Sequence, residues 1–130
     1  MKPVKQLICN NENGDCFRAC VASILERPVE SVPNFVRKNQ TDEELWKLHN
    51  SWAANENFRY VLIFLEKNRW DVLDNIFCIA SGKSPRGEHY HAVVWHNGII
   101  HDPHPSNDFL AEDPAYFILL VPFSLRKRLL

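Results

Sequence analysis

The apolar positions of this chain change period partway along. Between Asn13 and Leu25, Phe17, Cys20, Val21, Ile24 and Leu25 recur at three- and four-residue spacing, the stripe of an amphipathic core helix. The pattern predicts a helix from about Asp15 to Glu26 that stops before Pro28. Asp15 falls at its N-cap, and Gly14 allows the tight approach to it. Residues 1–13 read as an extended lead-in with Val4, Leu7 and Ile8 apolar, and Pro28 to Pro33 as a connector that lays Val29, Val32 and Phe35 on the core. Thr41 with Glu44 three residues later is a capping box and predicts a second helix to about Trp52. Phe58, Val61, Leu62, Phe64 and Leu65 predict a third over Glu56 to Lys67, with Trp46, Trp52, Phe58 and Phe64 in the core.

After Asn68 the signals are those of strands. Ile76 to Ala80 reads as a short strand and Ser81 to Gly87 as a turn-rich loop. Tyr90 to Trp95, Asn97-Gly98 and Ile99 to Asp102 form a hairpin with a strong two-residue turn signal. Tyr116 to Phe123 is a last buried strand, and Arg126-Lys127-Arg128 an exposed tail. Helices first and antiparallel strands after predict an α+β fold, residues 1–130 forming one domain.

Composition narrows the function classes. Hydrophobic residues at 45% and charged ones at 24% suit a globular protein. A net charge of −1 makes no electrostatic case for nucleic acid or an anionic membrane. No apolar run approaches the roughly 20 residues that span a bilayer. The start of the chain lacks the apolar stretch of a secretory signal. The expectation is a cytoplasmic protein whose Cys9, Cys16, Cys20 and Cys78 are free thiols.

Cys16 falls in the first turn of the first helix, where unpaired N–H groups and the helix dipole favour a thiolate, the nucleophilic form. Cys20, one turn on and inside the apolar stripe, reads as a core residue. In the hairpin, a two-residue turn pairs His96 with Ile99 and sets Val93 opposite Asp102. His91 is then the diagonal neighbour of Asp102 on one face, at roughly 5–8 Å between Cβ atoms. His96 and His101 fall on the other face, and His89 lies two positions further away. Pro103 and Pro105 stiffen the chain after Asp102. A thiol at a helix start with a histidine oriented by an aspartate is the nucleophile, base and orienter of thiol acyl transfer. The Cys16 N–H and the Gln6 side chain are candidate oxyanion donors.

The residues also carry a resemblance. Gln6, Asp15-Cys16 followed by Ala19-Cys20-Val21-Ala22, His91-Ala92-Val93-Val94 and Asp102-Pro103 resemble the papain-like cysteine peptidases. Similar are the leader peptidases of bacteriocin exporters, with their Gln…Asp-Cys-Gly-x-Ala-Cys-x-Ala, His-x-Val-Val and Asp-Pro segments. The chain also resembles small bacterial and phage proteins that carry Gly-Asp-Cys-Phe-Arg-Ala-Cys-Val-Ala-Ser-Ile-Leu and His-Asp-Pro-His-Pro-Ser. The resemblance implies a papain-like fold and a cysteine hydrolase with Cys16 as nucleophile, His91 as base, Asp102 as third member and Gln6 as oxyanion donor. Asp15, Phe17 and His104 are the expected substrate contacts. Phe17 stands where the exporter peptidases have Gly, which implies a reshaped groove. The implied partner is a peptide or protein substrate, a host or phage protein among the possibilities, with no cofactor.

Two other readings compete. One is a papain-like module that binds a peptide or protein without catalysis. The other is a zinc site drawn from Cys9, Cys16, Cys20 and His89, His91, His101 or His104. The chain has no Cys-x-x-Cys or His-x-x-x-His pair, so no metal is expected. Loops 9–14, 28–40, 81–90 and 104–114 are where specificity is expected to reside.

Overall fold

The first helix forms where the apolar stripe predicts it. Helix α1 spans Cys16–Leu25 in a computed structural model that describes residues 1–123. Its Ala19, Cys20, Val21, Ala22 and Ser23 are buried, and it ends on Glu26 in the left-handed conformation. Helix α2 spans Asp42–Asn55 behind the expected capping box: the Thr41 side chain accepts from the Glu44 N–H, and the Glu44 side chain from the Thr41 N–H.

The expected third helix is a strand. Residues Phe58–Ile63 form β1, which pairs antiparallel with β5 (Tyr116–Pro122) from Phe58↔Pro122 to Ile63↔Phe117. The apolar spacing here fits both periods. Phe58 and Tyr60 are buried while Arg59 and Val61 are exposed, the alternation of a half-buried strand. Aromatic and branched side chains favour the extended form, and Asn57 in the left-handed conformation breaks the chain after α2. Pairing with β5 then decides the matter. Phe64, expected in the core, is 71% exposed beyond the end of the strand.

The remaining strands are β2 (Cys78–Lys83), β3 (Tyr90–Trp95) and β4 (Ile99–His101), and the antiparallel sheet runs in the order β1-β5-β2-β3-β4. Strand β2 starts later than expected and continues through Ser81, Gly82 and Lys83, which pair with Ala92, His91 and Tyr90. The turn-rich composition is overridden by pairing on both sides, since Ser81 also faces Tyr116. Both faces of the sheet are covered, which is why β2, β3 and β5 read as nearly continuous apolar runs. Ile79, Ala92, Val94 and Ile118 join the cluster that includes α1, Phe58 and Tyr60. Cys78, Ala80, Val93, Trp95 and Phe117 meet Leu73 and Trp70 of a 3-10 segment, Lys67–Leu73, on the other face. The fold is therefore α+β, but the sheet takes its first edge strand from the middle of the chain.

The hairpin turn differs from expectation by one residue. Trp95, not His96, pairs with Ile99, and the His96 N–H donates to the Gly98 carbonyl. A register shift between Val94 and Trp95 makes Ile100 the extra residue and restores the expected pairing at Val94↔His101. The tail Arg126-Lys127-Arg128 lies outside the described residues.

Gly14 sits against the lead-in: a Cβ there would collide with the Asn10 carbonyl oxygen. Gly14→Ala is expected to lower the unfolding free energy by about 1–3 kcal/mol, as other overpacking substitutions do, measured by urea denaturation. An unchanged midpoint would show that the loop 8–14 yields freely.

Candidate active site

Two buried carboxylates organise the site. Asp15, at the N-cap position of α1, makes no side-chain capping bond. Its carboxylate is fully buried and turned toward the lead-in: Oδ1 accepts from the N–H groups of Leu7 at 3.0 Å and Ile8 at 2.8 Å, and Oδ2 lies 3.2 Å from Arg18 Nη1. Arg18 Nε in turn donates to the carbonyls of Val29 and Val32. The expected capping role is thus replaced by a clamp joining lead-in, helix and connector. A consequence for chemistry follows, because no side chain among the described residues caps the first N–H groups of α1. These remain donors beside Cys16.

Asp102 is 1% exposed. Its Oδ1 lies 2.7 Å from His91 Nε2 and accepts from the His104 N–H at 2.9 Å, while Oδ2 accepts from the Phe109 N–H at 2.9 Å. Burial alone would raise its pKa, but these three donors hold it at about 2. Burial would likewise lower the pKa of His91, yet hydrogen bonds with Asp102 and Cys16 and the charges of both lift it to about 9. His91 is 3% exposed and sits at the second residue of β3, opposite Gly82. The diagonal relation read from the hairpin is therefore realised as a direct contact. Cys16 and His91 line the same two cavities, so the helix start and the hairpin meet here.

The lead-in holds these parts together. The Lys2 N–H donates to the Ser23 carbonyl and the Val4 N–H to Ser23 Oγ, both on α1. The Gln6 N–H donates to the Pro103 carbonyl, and Lys5 Nζ reaches the carbonyls of Asp102 and His104 and Asn107 Oδ1. His101 Nε2 lies 2.7 Å from the Val4 carbonyl. Residues 2–8 thus strap α1 to the Asp102-Pro103 corner. Gln6 is 9% exposed; one N–H of its amide donates to the Ile8 carbonyl at 2.8 Å, and Oε1 has no partner among the described residues. Its second amide N–H makes no hydrogen bond among the described residues.

Two cavities meet at Cys16 and His91. One, about 310 Å³, is lined by Trp46, His49, Leu62, Phe64, Tyr116 and others and is mainly apolar. The other, about 320 Å³, is lined by Gln6, Asn10, Arg86, His89, His104 and others. Cys16, Phe17, Val36, Tyr90 and His91 border both. Phe17 packs with Trp46, His49 and Tyr60, ring centroids 4.7–5.6 Å apart. Burial among these rings pushes His49 down to about 4. Of the expected substrate contacts, Phe17 and His104 line the cavities, whereas Asp15 is sealed off and lines neither. Cys20 is buried, and burial followed by the charges of Cys16 and Asp102 pushes its thiol upward. Sequence reasoning missed Arg86 and the cavity role of Trp46. Arg86 sits in a loop singled out for specificity, but a lone arginine carries no spacing signal; Trp46 reads as core because a rim aromatic and a core aromatic share one helical period.

Among the described residues no helix is long and apolar enough to cross a membrane. No group of three or more His, Cys, Asp or Glu side chains there is arranged to hold a metal ion. All four cysteines are unpaired.

The pKa shifts set a pH dependence of stability. His91 is raised to about 9 from 6.5, so its contribution is whole below pH 6.5 and lost as pH rises through 9. Asp102 is lowered to about 2 from 3.8, so its contribution is present above pH 3.8 and lost as pH falls through 2. Asp102→Ala is expected to cost about 3 kcal/mol near pH 5, the range for breaking a buried pair, and less near pH 10, where His91 is neutral. Urea denaturation at the two pH values measures this, and an equal loss at both would contradict the ion pair. Comparisons with protein-family models, curated proteins and solved structures return no match.

Proposed function

We propose that this protein is a papain-like cysteine hydrolase that cleaves an amide, isopeptide or related acyl bond of a peptide or protein. The observation that carries the reading is the 2.7 Å contact between His91 Nε2 and the buried Asp102 carboxylate, with Cys16 beside His91 on the wall of both cavities. With Nε2 engaged, Nδ1 is the ring nitrogen left for the thiol. An imidazole held charged up to about pH 9 is the ion-pair partner that a thiolate nucleophile uses.

In this mechanism the Cys16 thiolate attacks the scissile carbonyl carbon and the carbonyl π electrons move to oxygen. The oxyanion takes hydrogen bonds from the Cys16 N–H, uncapped at the start of α1, and from the free N–H of Gln6. His91 gives its proton to the leaving amine, the C–N bond breaks and a thioester remains. His91, now neutral, takes a proton from water as it attacks the thioester. The second tetrahedral intermediate collapses to the carboxylic acid and restores the Cys16–His91 pair. Asp102 holds the imidazole orientation throughout and balances its charge. Transfer of the acyl group to an amine would use the same residues, with the amine in place of water.

The test is alkylation by limiting iodoacetamide across about pH 4–9, read by intact mass. Wild type is expected to label rapidly at one site near pH 6. Labelling at that pH should vanish in Cys16→Ala and slow about tenfold or more in His91→Ala, as thiolate activation is lost. Labelling that rises only near pH 8.5, the behaviour of an ordinary thiol, would overturn the hydrolase and favour a papain-like module that binds peptides without cleaving them.

A further inference from the structure

The two cavities beside Cys16 differ in charge. The apolar one has Asp42 as its single carboxylate among the described lining residues. The polar one has no carboxylate among them; it has Arg86, the three histidines His89, His91 and His104, and the amides of Gln6, Asn10 and Asn11. Its polar groups are ordered so that donors are left over. Asn10 Oδ1 accepts from the N–H groups of Glu12 and Asn13 at 2.9 Å, which commits the oxygen and leaves the NH₂ group. His104 Nδ1 accepts from the Ser106 N–H at 3.1 Å, so the neutral ring carries its proton on Nε2. Arg86 spends Nη1 on Ser106 Oγ at 3.1 Å, and its nearest carboxylate, the half-exposed Asp108, stands 3.9 Å away. Nε and Nη2 make no hydrogen bond among the described residues. Two further lining residues each carry a buried atom with no hydrogen-bond partner among the described residues, Gln6 at Oε1 and His89 at Nδ1.

Resting on the hydrolase reading, we propose that the polar cavity is a carboxylate subsite, so that the preferred substrate bears an anionic group next to the scissile bond. Arg86 supplies the charge through its free guanidinium edge, which suits the planar carboxylate. Asn10 and His104 add neutral donors, and Ser106 links Arg86 to His104 and fixes both. Burial, then the charges of Arg86 and His91, push His89 and His104 downward, which favours neutral rings that donate without adding charge. The apolar cavity takes the opposite side of the substrate, with the scissile carbonyl between them at Cys16. Arg86 is a specificity residue here, not a participant in bond breaking.

Iodoacetate and iodoacetamide provide the test, since both lose iodide to Cys16 through the same C–S bond formation and differ in a carboxylate. Rates are measured near pH 7 at constant ionic strength in wild type and Arg86→Gln. Because the His91 imidazolium also attracts iodoacetate, the decisive quantity is the change in the rate ratio between the two proteins. The iodoacetate-to-iodoacetamide ratio should fall about tenfold in Arg86→Gln, the loss of one charge-assisted contact; the ratio cancels any change in Cys16 reactivity common to both reagents. In wild type, N-acetylglycinate should protect Cys16 from iodoacetamide while N-acetylglycinamide does not, a measurement that needs no variant to fold. An unchanged ratio, or equal protection by both compounds, overturns the subsite and leaves the hydrolase intact. Reaction of Cys16 with both reagents at the rate of an ordinary thiol overturns the hydrolase reading and the subsite with it.

Discussion

A carboxylate buried as deeply as Asp102 stays ionised only if donors replace the water it has lost. Much of the site's architecture answers that demand. The His104 and Phe109 N–H groups reach Asp102 because the chain after Pro103 curls back over it, with Asn107 and Phe109 in left-handed conformations. The third donor is His91, which the hairpin register delivers from the neighbouring strand. Satisfying the carboxylate therefore fixes three things together: the fold of loop 103–109, the orientation of the imidazole and the charge that imidazole carries. The site's electrostatics are a by-product of keeping one buried anion hydrogen-bonded.

Asp15 repeats the logic on the other side of the site. A carboxylate at a helix start ordinarily caps it, but this one is drawn away by Arg18 and by two N–H groups of the lead-in. The lead-in thus has one register set by Asp15 and a second set by the Pro103 carbonyl and Lys5. Between the two anchors lies Gln6, and at the end of the first lies Cys16. No helix–sheet packing rule would specify the approach of α1 to the hairpin to hydrogen-bonding accuracy. Two buried carboxylates tied through one short segment do.

How legible this was in the sequence depends on how local each feature is. Helix α1, the capping box at Thr41 and the neighbouring of His91 and Asp102 follow from periods and turn geometry within a few residues, and each is found in the structure. The Asn97-Gly98 turn misled by one residue, yet the bulge at Ile100 returned the register before Asp102, so the inference about His91 survived. Residues 56–67 read as a helix because their apolar positions satisfy a helical and a strand period alike. The deciding partner, β5, lies more than fifty residues away in the sequence. The role of Asp15 was missed for the same reason in miniature: its capping pattern is local, whereas the donors that outbid the helix come from across a loop. Cys16 could be placed on its helix but not against His91, because that distance is set by the lead-in straps.

The division between local and distant determinants bears on where this site can vary. Asp102 and Asp15 serve stability and positioning at once, so under the proposed hydrolase a change at either would disturb packing and chemistry together. The groups that line the cavities without being buried in these networks are different. Arg86 and His104 hang from the loops at 84–89 and 104–109, and Trp46 projects from α2 against the sheet; their loss opens space or removes a charge at the surface and leaves the buried carboxylates satisfied. On the proposed function, these rim groups are the ones through which specificity would vary without disturbing the buried carboxylates. The charge difference between the two cavities is the first physical property by which a substrate lying across Cys16 would be oriented. It acts at longer range than shape and needs no movement of the buried frame.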